Sequence, residues 1–169
     1  MMRYVLMGFM GAGKSTVGKA LAKYLGCEFL DTDELIEKEQ GRKISEIFER
    51  EGEPYFWDLE TGLLKKLQNK KGDFVLSLGG GVPVREENRA LLRNLGTVIY
   101  LKTSKEEIIR RVLKNSDRPL LQGGTLEEKV TALMKARESI YMETAHVVVY
   151  TDEKDIEQLV SELSQYKNN

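Results

Sequence analysis

The chain is poor in the residues on which several kinds of protein depend. Its 169 residues hold one cysteine, Cys27, and one histidine, His146. A lone thiol cannot close an internal disulfide, which fits a reducing compartment. One cysteine with one histidine is too few for a His/Cys transition-metal cluster. Cys27 therefore reads as a buried thiol and His146 as a structural residue at a strand start. No apolar run approaches the ~20 residues needed to span a bilayer. The first residues show neither a basic-then-apolar leader nor a small-residue cleavage site. No membrane partner and a cytoplasmic location are expected. Charge of one sign is missing too: charged residues make up 31% of the chain, yet the net charge is −1. A nucleic-acid surface usually shows a basic excess with interleaved aromatics, so no nucleic-acid partner is expected. Repeats and low-complexity segments are absent. The length suits a single domain, residues 1–169, with a real core.

What is present begins at the first strand. Tyr4 to Met7 is a short apolar run that leads into Gly8-Phe-Met-Gly-Ala-Gly-Lys-Ser-Thr16. From Gly8 to Ser15 this fits G-x-x-x-x-G-K-[ST], the phosphate-binding loop, between a strand and a helix as that loop requires. Glycines Gly8, Gly11 and Gly13 let the backbone curl until successive N–H groups converge on phosphate oxygens. The following helix points its positive end at the same anion. Lys14 would reach the outer phosphates, and the Ser15 hydroxyl would complete the shell of a Mg²⁺ ion.

Apolar strands then alternate with helical patterns. Strands are expected at 28–31, 74–78, 98–101 and 147–150, and helices at about 15–25, 33–40, 44–51, 53–70, 86–94, 105–114, 125–142 and 155–166. This order predicts an α/β fold: a five-stranded parallel sheet with helices on both faces, in three layers. In such sheets ligands sit beyond the carboxyl ends of the strands. Three clusters meet that condition: the phosphate loop, the pair Asp31 and Asp33, and Gly79-Gly80-Gly81.

Asp31 and Asp33 are two apart, so on extended backbone they share a face. One could serve Mg²⁺ and the other accept a hydrogen bond from an attacking hydroxyl. Asp33 equally suits the N-cap of the helix that follows. The three glycines offer N–H groups and close approach to a ligand, or merely a flexible turn. The stretch 115–124 joins turn formers, Gly123-Gly124 and Arg118-Pro119, and reads as part of a mobile lid spanning about 112–124. Arg118 could close over transferring phosphates or remain a solvated surface charge.

Taken together, these residues resemble the shikimate kinases of the nucleoside-monophosphate-kinase-like group. The resemblance covers nearly the whole chain: the phosphate loop, Asp31-Thr-Asp33, Gly41 with Ile44, Ile47 and Phe48, Gly52-Glu53 and Phe56 with Glu60, the three glycines, Arg118-Pro-Leu-Leu121, and Arg137 with Tyr141. It implies a P-loop kinase fold and ATP- and Mg²⁺-dependent transfer of the γ-phosphoryl to the 3-hydroxyl of shikimate, towards the aromatic amino acids. By resemblance, Gly11, Ala12, Gly13, Lys14, Ser15 and Thr16 hold the nucleotide, while Ser15 and Asp31 serve the metal. Asp33 holds the acceptor hydroxyls and is the base, within a substrate-binding helical segment of about 33–61. Gly79, Gly80 and Gly81 line the shikimate site, and Arg137 pairs with its carboxylate. Arg118 is the lid arginine, and Arg111 stacks on adenine. A monomer acting on this small molecule is expected.

One position departs. The family shows Phe-Arg-x-x-Glu where this chain has Phe56-Trp57-Asp58-Leu59-Glu60, and that arginine helps bind the shikimate carboxylate. Tryptophan cannot offer a charged fork. Losing one charge-assisted bond costs roughly 1.5–3 kcal/mol, about 10- to 150-fold in affinity. Arg50 and Lys65 are substitutes by sequence proximity alone. The alternatives are a related small-molecule kinase with a retuned acceptor, Trp57 stacking on a ring, or a non-catalytic ATP-binding module.

Overall fold

Five short strands frame the molecule in a computed structural model that describes residues 1–114 and 125–166. They are β1 (Arg3–Met7), β2 (Glu28–Asp31), β3 (Phe74–Ser77), β4 (Thr97–Lys102) and β5 (Val147–Tyr150). All pair in parallel, in the order β2-β3-β1-β4-β5. Helices α1 (Lys14–Leu25), α2 (Thr32–Gln40), α3 (Ile44–Glu51), α4 (Glu53–Leu67), α5 (Glu86–Leu95), α6 (Lys105–Lys114), α7 (Leu126–Thr144) and α8 (Ile156–Leu163) fill the connections.

Strand residues point to alternate faces, and both faces are buried. Tyr4, Leu6, Val75, Ile99, Leu101 and Val149 meet Val17 and Leu21 of α1 and Leu159, Val160 and Leu163 of α8. Val5, Met7, Phe74, Leu76, Val98 and Tyr100 meet Leu64 and Leu67 of α4, Leu92 and Leu95 of α5, and Tyr141 of α7. The expected three layers are therefore present. Removing each such side chain from water favours folding by roughly 1.5–3 kcal/mol.

Register decides which loops meet. Leu6 of β1 pairs with Ser77 of β3, and Ser77 with Asp31 of β2. The three strands thus end level, and Gly8, Gly79 and Asp33, each two residues further on, emerge over the same edge.

The helix-like pattern over 53–70 ends at Leu67, because the N–H groups of Asn69 and Lys70 already bond back to the carbonyls of Lys66 and Leu67 in tight turns. A 3₁₀ turn over Val82–Val84 follows the three glycines and was not foreseen from the pattern. Of the expected lid, Val112 to Lys114 form the end of α6; Arg118 and the rest of 115–124 lie outside the described residues. No described helix is long and apolar enough to cross a membrane.

Candidate active site

The phosphate loop closes on itself. Gly11 and Gly13 have φ of 79° and 87°, the left-handed region that glycine enters without steric cost, and Gly13 caps the start of α1. The loop carbonyls turn inward, so that Lys14 Nζ donates to Gly8 O at 2.6 Å and to Phe9 O at 3.1 Å. Burial, with help from Arg137 and against Asp33 and Asp31, pushes the Lys14 ammonium down to about 8. A phosphate arriving in the loop would raise it again.

Asp31 and Asp33 do come together, although not for the reason the spacing suggested. Asp31, not Asp33, caps α2: its Oδ1 accepts from the N–H groups of Asp33 at 2.9 Å and Glu34 at 3.1 Å. Asp33 sits in the first helical turn, so the two carboxylates share one side through a helix start rather than an extended strand. The second oxygen of Asp31 accepts from the Ser15 hydroxyl at 3.2 Å. One hydroxyl and one carboxylate are hard oxygen donors suited to Mg²⁺, which keeps several waters and takes the rest of its shell from phosphates. Among the described residues no group of three His, Cys, Asp or Glu side chains could hold a metal.

Asp33 faces the three glycines. A Cβ on Gly79 would lie 2.9 Å from Asp33 Oδ1, and the Gly79 N–H donates to Thr32 Oγ1 at 2.8 Å. A Cβ on Gly80 would lie 3.1 Å from Nη1 of Arg137, and Tyr141 OH holds Gly80 O at 2.6 Å. The glycines are thus wedged between α2 and α7, which favours the close-approach reading over a merely flexible turn. Burial and the neighbouring Asp31 raise the Asp33 carboxyl above its usual range, opposed by Lys14.

Two cavities flank this centre. The larger, of about 720 Å³, is lined by Asp33, Gly79, Gly80, Gly81, Arg137, Phe56, Trp57, Glu60 and Arg85 among others. The smaller, of about 510 Å³, is lined by Gly11 to Val17, Arg111, Thr151, Lys154, Ile156 and Leu159. Lys14 lines the second cavity, and its ammonium lies in the field of Asp33 and Arg137, which line the first. Arg111 does reach the phosphate loop: Nη1 donates to Gly11 O at 2.7 Å and Nε to Glu107 at 2.9 Å.

Trp57 stands in the wall of the larger cavity, 44% exposed. Neither substitute suggested by proximity joins it: Arg50 pairs with Glu46 at 3.4 Å and Lys65 with Glu87 at 3.1 Å, both in the open. Two groups that sequence reasoning left without a role do line it. Glu60 is 4% exposed, and burial with the nearby Asp33 pushes its carboxyl up to about 8, against the pull of Arg137 and Arg85. Arg85 opens α5, brought over the cavity by the 3₁₀ turn. Its signal in the sequence was slight: a basic residue soon after the glycines at a strand's carboxyl end.

The chain is similar to known proteins along nearly its whole length. The sequence profile of the shikimate kinase family matches residues 10–167. Shikimate kinase of Thioalkalivibrio sulfidiphilus is 44% identical over 162 residues, 96% of this chain and 85% of that one. Shikimate kinase of Chromohalobacter salexigens is 45% identical over 159 residues, 94% of this chain and 88% of that one. The structure of shikimate kinase from Acinetobacter baumannii in complex with shikimate superposes with a TM-score of 0.87 at 41% identity, covering 98% of this chain and 92% of that one. With a matching profile, relatives of this identity and coverage, and a shared P-loop kinase fold, this chain belongs to the shikimate kinase family.

Proposed function

We propose that the chain transfers the γ-phosphoryl of ATP to the 3-hydroxyl of shikimate, giving shikimate 3-phosphate and ADP, a step towards the aromatic amino acids. The observation that carries this reading is that Lys14, in the wall of the cavity formed by the phosphate loop, lies in the field of Asp33 and Arg137, which wall the other cavity with the three glycines. ATP fits the first, with N–H groups of Gly11 to Thr16 around its phosphates and Arg111 beside its base. Shikimate fits the second, with its hydroxyls towards Asp33 and the glycines and its carboxylate towards Arg137.

In this reading Lys14 leaves the loop carbonyls for the β- and γ-phosphates. Ser15 and Asp31 would hold Mg²⁺, which would supply positive charge to offset that of the phosphates. The 3-hydroxyl oxygen forms a bond to the γ-phosphorus as the bond from that phosphorus to the bridging oxygen breaks, and ADP leaves. The hydroxyl proton passes to Asp33, whose raised carboxyl pKa suits it to accept one. Arg118 takes the part of the lid arginine on the strength of its Arg-Pro-Leu-Leu setting. Phosphorus NMR of the product from Mg·ATP and shikimate tests the reading. A phosphomonoester on the 3-oxygen is expected; a product phosphorylated elsewhere, or none, would contradict it.

A further inference from the structure

Among the described residues, the wall of the larger cavity carries two arginines, Arg137 and Arg85. Arg85 is fixed from behind. Its Nη1 donates to Thr61 Oγ1 at 3.0 Å; Thr61 Oγ1 lies 2.7 Å from Asn88 Oδ1, its hydrogen-bond acceptor; and Asn88 Nδ2 donates to Val82 O at 2.9 Å. Thr61 and Asn88 are buried, so this chain of bonds sets where the guanidinium stands. In front, Nη2 meets Asp58 Oδ1 at 2.9 Å, with the Asp58 side chain 71% exposed. An ion pair so open to water is weak and readily exchanged. A guanidinium carries five donors, and its fork matches a carboxylate. Glu60 lies in the field of both arginines, but its burial favours the neutral form near pH 7, so it leaves their charge uncancelled. Trp57 brings no charge of its own to the same wall.

We propose that Arg85 binds the carboxylate of the acceptor together with Arg137, and that Asp58 occupies the Arg85 guanidinium until that carboxylate displaces it. The inference rests on the shikimate reading above and assigns a specificity-determining contact within it. A preset arginine whose counter-ion is an exposed carboxylate already holds a stand-in for the ligand, and exchange of one carboxylate for another needs no rearrangement of Thr61 or Asn88.

The test compares wild type, Arg85→Gln and Asp58→Asn, each with shikimate and with its uncharged methyl ester. Initial rates are measured beside ligand titrations of the fluorescence of Trp57, the sole tryptophan, in the cavity wall. Arg85→Gln should raise the KM and the dissociation constant for shikimate about 10- to 150-fold, the range for one charge-assisted bond. It should leave the KM for ATP unmoved and those for the ester nearly so. Asp58→Asn should tighten shikimate binding several-fold, an opposite effect that a purely structural ion pair would not give. Wild-type turnover of shikimate with equal losses for acid and ester in Arg85→Gln, or with no loss, would overturn the role of Arg85. Absence of wild-type turnover on shikimate at any concentration would instead overturn the substrate reading, and the inference with it. Should Arg85→Gln fold poorly, Asp58→Asn decides alone, and unchanged or weaker shikimate binding in it contradicts the displacement.

Discussion

Ser15 and Asp31 are joined by a hydrogen bond of 3.2 Å, while the other oxygen of the same carboxylate caps α2. One side chain thus ties the phosphate loop to the helix that presents Asp33, and its two duties can be separated. Asparagine caps a helix about as well as aspartate, whereas alanine does not. Asp31→Asn should therefore keep the thermal midpoint near wild type and raise the Mg²⁺ concentration needed for half-maximal turnover. Asp31→Ala should do that and also lose about 0.5–2 kcal/mol of stability. Thermal denaturation beside a Mg²⁺ titration checks both. Equal midpoints for the two variants would show that the cap does not matter.

In the proposed reaction Lys14 and Asp33 act on opposite sides of the transferred group. Lys14→Ala should abolish phosphoryl transfer with the fold intact by circular dichroism. Asp33→Asn should remove turnover while calorimetry still detects ATP. Asp33→Asn turning over at the wild-type rate would remove the base from the account.

Glu60 supplies a pH dependence whose sign is fixed by its raised carboxyl. With a folded value of about 8 against 4.5 when exposed, the folded chain binds more protons between those limits. Its contribution to stability is fully present below pH 4.5 and is lost as pH rises through 8. Glu60→Gln should match wild type near pH 4.5 and become the more stable of the two by pH 9, by an amount on the order of 5 kcal/mol. Shikimate affinity should fall through pH 8 in wild type, as Glu60 charges beside Arg137 and Arg85, and that fall should vanish in Glu60→Gln. Denaturation midpoints and Trp57 fluorescence titrations from pH 5 to 9 measure the two effects, and parallel curves for the two proteins would contradict both.

Much of this was legible in the chain itself, because periodicity and punctuation agreed. The helix expected over about 15–25 ends at Leu25, closed by Gly26 in the left-handed conformation, and β2 and β5 run over the residues expected of them. The phosphate loop was readable since its chemistry is backbone chemistry, encoded by glycine spacing. Arg111 was harder: on α6 it looks like any exposed charge, and only the fold brings it to Gly11, 100 residues earlier. Asp31 and Asp33 were paired correctly by a mistaken geometry, because a helix begins between them. Arg85 was hidden for another reason. The substitutes near position 57 in sequence, Arg50 and Lys65, lie elsewhere, whereas the second cation of the cavity wall, beside Arg137, comes from the start of α5, held by Thr61 of α4.

The most direct measurement is ADP release with Mg·ATP across acceptors: shikimate, quinate, gluconate and cytidine monophosphate, over a wide concentration range. The account predicts saturable turnover on shikimate, with the others at background. Clear ATP binding without shikimate turnover, or saturation by another acceptor instead, would contradict it.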